Sequence, residues 1–84
     1  MKTLDIPEYA VTTEKGTTYG DARHAKSRIT NRIKWRNDHF YGLLEIYKRS
    51  GEKYILFFNL DDLNQLQGDY EQIKRQAYGI IDNA

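Results

Sequence analysis

Apolar positions along the chain fall into three patterns. From Leu60 to Asp82, Leu63, Leu66, Tyr70, Ile73, Ala77 and Ile80 recur at spacings of 3, 4, 3, 4 and 3. That is the period of a helix with one apolar face. Gly68 lies inside the stripe and costs up to about 1 kcal/mol relative to Ala. The stripe stays in phase across it, so one amphipathic helix over about 60–82 is expected, with a bend at Gly68 allowed for. The alternative is two helices divided at Gly68-Asp69, with Asp69 capping the second.

The second pattern is β-like. HFYGLLEIYK and KYILFFNL flank Arg49-Ser50-Gly51-Glu52, whose glycine suits a turn. A hairpin over about 39–60 follows. Alternation places Phe40, Gly42, Leu44 and Ile46 on one face of its first strand and Tyr41, Leu43, Glu45 and Tyr47 on the other. In its second strand Tyr54, Leu56, Phe58 and Leu60 oppose Lys53, Ile55, Phe57 and Asn59. Apolar residues on both faces imply cover on both, or cover on one and a partner on the other. Two helices on one face would leave Tyr41, Tyr47 and Phe57 as a second interface.

The third pattern is a narrow stripe, Ala22, Ala25, Ile29 and Ile33, in an otherwise polar helix over about 21–36. Thr18 and Asp21 have the spacing of a capping box that starts it. Ahead of it, the β-prone run 9–13, the turn Glu14-Lys15-Gly16 and Thr17-Thr18-Tyr19 predict a short hairpin. Residues 1–8 read as a leader. The fold class is thus α+β: one small domain over 1–84, with a central hairpin, an extension of the sheet by residues 9–19, and two helices.

Charge sharpens this picture. Residues 21–37 carry Arg23, Lys26, Arg28, Arg32, Lys34 and Arg36 against Asp21, a net of +5 in a chain of net +1. Residues 59–84 hold five acids against Lys74 and Arg75, a net of −3. A basic first helix and an acidic last one mean a basic working face, or two helices that attract each other. The 84 residues include seven Tyr, three Phe and one Trp and no Cys, which excludes a disulfide framework and thiolate metal sites. The longest apolar run, Ile55-Leu56-Phe57-Phe58, is too short to span a bilayer. MKTLDIPEYA has no apolar signal-peptide core. A cytoplasmic protein without membrane association is expected.

Helical spacing puts His24, Arg28, Asn31, Arg32 and Trp35 on one flank of the basic helix, with Arg23, Lys26 and Lys34 on the other. Cations that neutralise phosphates, beside Asn and an aromatic that read or stack on bases, suit nucleic acid. An acidic protein surface would satisfy the same residues. The bland reading is a solvated polar face, with Trp35 folded onto the hairpin. His24 and His39, alone and without Cys, do not make a metal site. No cofactor or catalytic motif is present, so an enzyme is not expected. A small nuclease using His24 or His39 is a distant third class. Asp61, Asp62, Asp69 and Glu71 could grip a basic partner, but dipole complementarity accounts for them more simply. A homodimer is conceivable, for example through Leu63, Leu66, Tyr70 and Ile73.

The hairpin and helix, with Trp35 ahead of the first strand, resemble the three-strand-plus-helix arm-binding domains of mobile-element integrases. The likeness is one of architecture over about half the chain. With the size and composition, it suits a phage or mobile-element accessory factor. Two expectations result. One is a non-enzymatic binding protein that engages nucleic acid or a nucleoprotein through Arg23, His24, Lys26, Arg28, Asn31, Arg32, Lys34, Trp35 and Arg36. The other is a stoichiometric protein inhibitor of anti-defence or host-takeover type (anti-CRISPR-like, for example) that acts by protein contact.

Overall fold

A computed structural model describes residues 6–34 and 40–84. The chain runs β1 (Tyr9–Thr13), β2 (Gly16–Gly20), α1 (Ala22–Lys34), β3 (Leu44–Ser50), β4 (Lys53–Asn59), α2 (Leu60–Gln65) and α3 (Tyr70–Asp82). Four strands form one antiparallel sheet in the order β2-β1-β3-β4. This is the expected α+β arrangement of two hairpins. They are joined through their inner strands, with Val11 opposite both Thr18 and Ile46. The tight turns use glycine where a left-handed backbone is required, at Gly16 (φ 110°) and Gly51 (φ 67°).

Helices cover one sheet face. Tyr9, Val11, Leu44, Ile46 and Phe58 meet Ala25, Ile29 and Ile33 of α1, Leu63 of α2, and Ile73, Ala77 and Ile81 of α3 in a single core. The alanines let α1 and α3 lie close together and close to the sheet. One ion pair and one hydroxyl pair join α1 to α3, which by itself carries no net charge, since Glu71 and Asp82 balance Lys74 and Arg75. Lys26 Nζ lies 2.7 Å from Asp82, and the Thr30 and Tyr78 hydroxyls are 2.6 Å apart.

Five expectations change. The last segment is two helices, because two caps and a left-handed glycine outweigh the continuous stripe. Asn59 and Asp62 form a capping box on α2, Gly68 turns the chain at φ 121°, and Asp69 and Gln72 form a second box on α3. The break resets the phase, so Ile81 rather than Ile80 fills the core and Tyr70 stays exposed. Leu63 and Ile73 are buried within one chain, so they offer no surface for a helix-pair dimer. Thr18 does not cap α1; it lies in β2, and the Asp21 carboxylate accepts from the His24 amide at 3.1 Å. The first strand of the central hairpin begins at Leu44, after a left-handed turn at Gly42 (φ 103°). His39 lies outside the described residues.

The fifth change is a bulge. Phe58 pairs with Ile46 but Leu56 pairs with Tyr47, leaving Phe57 as an extra residue. It moves Leu56 to the face opposite Phe58. Phe57 packs on the core, its ring 6.0 Å from that of Tyr9, so it is not part of the open face.

Candidate functional site

The amphipathic pattern of α1 points Ala25, Ile29 and Ile33 inward and leaves Arg23, Ser27, Arg28, Asn31 and Lys34 exposed. The six cations foreseen in this stretch do not act alike. Lys26 is half-buried, paired with Asp82, and its ammonium lies 5.2 Å from the centre of the Tyr78 ring. Arg32 is 20% exposed and donates to Glu14 at 3.1 and 3.3 Å, to the Tyr41 carbonyl at 2.8 Å and to the Leu43 carbonyl at 3.0 Å. Both side chains are engaged within the fold. Arg23 is exposed and reaches Asp21 at 3.4 Å. Arg28 and Lys34 make no ion pair among the described residues. Trp35 and Arg36 lie outside the described residues.

His24 is likewise committed within the fold. Its Nε2 is 2.8 Å from the Thr18 hydroxyl. Its ring lies so close to Gly20 that a Cβ there would come within 2.6 Å of the His24 Cβ. Among the described residues no cluster of His, Asp and Glu could hold a metal ion.

Arg28, Asn31 and Arg32 instead meet the β1–β2 turn. With Thr13, Glu14 and Lys15 they line an open cleft of about 550 Å³. Glu14 is its keystone. Its carboxylate accepts from Arg32 and from the Leu43 amide at 2.9 Å. The Arg32 hydrogen bond, with help from the backbone amides of Glu14 itself and of Leu43, holds its carboxyl down to about 2. Arg32 therefore cannot lend its charge to a ligand while Glu14 holds it. The cleft offers an anion Lys15 and Arg28, with Asn31 as a neutral donor between Arg28 and Lys34 along the helix. Neither Glu14 nor Lys15 was foreseen as a site residue. An acid in a turn leaves no local trace of an arginine eighteen residues away.

The second surface is the uncovered sheet face. Cross-strand register aligns Tyr19, Ala10, Tyr47 and Leu56 across it. The Tyr19 and Tyr54 rings, from the two edge strands, are 5.6 Å apart and so span the sheet. The Tyr54 hydroxyl donates to the Pro7 carbonyl at 2.6 Å. Tyr47 donates to Glu45 at 2.9 Å, and that bond to a carboxylate raises its phenol above the ordinary value. Of the residues expected at a second interface, Tyr47 lies on this uncovered face. Tyr41 is exposed ahead of β3, Phe57 is turned to the core, and Tyr19 and Leu56 are exposed on the open face with a half-buried Tyr54 beside them.

Asp61, Asp62, Asp69 and Glu71 have local work. Asp62 and Asp69 close caps, Glu71 lies 3.5 Å from Lys74, and Asp61 adds charge to the first turn of α2. Among the described residues no helix is long and apolar enough to cross a membrane. Comparison of the chain with protein-family models, with curated proteins and with solved structures finds no match.

Proposed function

We propose that the chain is a non-enzymatic binding protein that engages nucleic acid or a nucleoprotein through α1 and the β1–β2 turn. The observation that carries this reading is the sorting of the cations. Lys26 and Arg32 are used internally, whereas Lys15, Arg28 and Lys34 are exposed and make no ion pair among the described residues, with Asn31 between the two helical cations along α1. Unneutralised cations around an open, shallow cleft suit contact with a phosphate backbone rather than base readout. A phage or mobile-element accessory role fits this reading.

Three phosphates neutralised give a plot of log affinity against log salt with a slope of about −2 to −3. Fluorescence of Trp35, the single tryptophan, reports the titration with single- and double-stranded oligonucleotides. Arg28→Ala with Lys34→Ala is expected to cut the slope by about two-thirds. No response at low salt overturns the reading.

The open sheet face favours a second reading, a stoichiometric inhibitor that docks on a protein through Tyr19, Tyr47, Tyr54 and Leu56. Its charged neighbours, Glu45 and Arg49, have opposite signs, and exposed tyrosines are common in protein interfaces. Binding to such a partner would tolerate salt and fall on Tyr47→Ala. A nuclease using His24 has less support, since its ring is held by Thr18.

A further inference from the structure

The two edges of the sheet differ. β2 is short, begins and ends in glycine and exposes threonines, the kind of edge that discourages pairing. β4 is the other edge. It has seven residues, no proline and one charge, Lys53, at its start. Ile55 and Leu56 are consecutive and point to opposite faces, yet they are 56% and 42% exposed. Ile55 shares the helix-covered face with Lys48 and Tyr9, and Leu56 shares the open face with Tyr47. A helix or loop laid on either face would cover one of these side chains. A strand added at the edge covers both and also pairs the free backbone groups.

We propose that this strand is β4 of a second copy, paired antiparallel about Ile55. In that register Ile55 faces its own counterpart on the helix side. Tyr54 faces Leu56 of the other copy on the open side, and Lys53 faces its Phe57. Apolar positions meet apolar positions, and no like charges stand directly opposite one another. Each Lys53 also approaches the acidic first turn of the other copy's α2, Asp61 and Asp62. The bulge at Phe57 limits the flat segment to Lys53–Leu56, so the contact is short and the dimer depends on concentration. Pairing joins two four-stranded sheets into one, with all helices on one side. It is independent of nucleic acid.

Sedimentation of the full chain over a wide concentration range tests this. The mass is expected to rise from 9.9 kDa toward twice that value. Ile55→Lys, at an exposed position, keeps the protein monomeric with an unchanged circular dichroism spectrum. Thr17→Lys on the opposite edge leaves the dimer intact. Lys53→Glu, which turns the approach to Asp61 and Asp62 repulsive, weakens association several-fold. It carries the test should Ile55→Lys impair folding. A chain that stays monomeric throughout, or a dimer that both substitutions leave unchanged, overturns the proposal.

Discussion

Glu14 is one carboxylate that joins three parts of the chain. Through Arg32 it ties the β1–β2 turn to α1, and through Arg32 and the Leu43 amide it ties both to the segment before β3. Gly42 makes room for it, since a Cβ there would lie 1.8 Å from Glu14 Oε2. Its pH dependence has a definite sign. The folded state holds the carboxyl at about 2 against an ordinary 4.5. Its stabilisation is therefore complete above the unfolded value and is lost as pH falls from about 4.5 through about 2. Urea unfolding from pH 6 to pH 2 should show wild type losing stability over that window and Glu14→Gln losing less. Equal acid sensitivity would mean the clamp contributes nothing to the fold. At this scale the sequence identifies the cations but not their partners. The residues that distinguish Arg32 from Arg28 are eighteen or more positions apart, or are backbone carbonyls.

Among the elements, α1 and the two hairpins follow directly from periodicity and turn glycines, and the buried stripe Ala25, Ile29 and Ile33 is the one its spacing predicts. The segment from Leu60 to Asp82 shows the limit of periodicity. A stripe at 3-4 spacing is compatible with one helix or with two whose phases nearly agree. Here the caps decide: Gly68 adopts a conformation that suits glycine alone, and Asp69 accepts from the Gln72 amide at 2.9 Å while Gln72 returns a bond to the Asp69 amide at 2.8 Å. Asp69→Ala should cost about 1 kcal/mol in chemical denaturation. A cost near zero would show that packing of Ile73, Ala77 and Ile81 sets the start of α3 alone. The bulge in β4 is invisible to an alternation rule, which assumes one residue opposite one residue. Yet it sends Phe57 to the core and Leu56 to the open face.

For the molecule as a whole, the α+β class was legible and the strand order was not. Two local hairpins can dock by any of their edges, and alternation does not choose among them. Burial chooses: β1 and β3 hold the most deeply buried strand residues, Val11 and Ile46, and lie side by side at the centre. The net charge of +1 gives no hint of the division that results, with Arg28 and Lys34 of α1 on the helical side and Tyr19, Tyr47 and Tyr54 on the other. The central position of β1 also bears on the time course of folding. Val11 and Ile46, partners in the finished sheet, come from opposite ends of a long intervening segment, whereas each hairpin closes over a few residues. Local turns form quickly, and their docking must overcome the larger loss of chain freedom. Docking of β1 on β3 is thus the slow step, and Val11→Ala should slow refolding in stopped-flow measurements more than Thr17→Ala does. The chain would then reach its native state only once α1 has been made and folded back, so that helix acts as the crossover between two halves that are otherwise each self-contained.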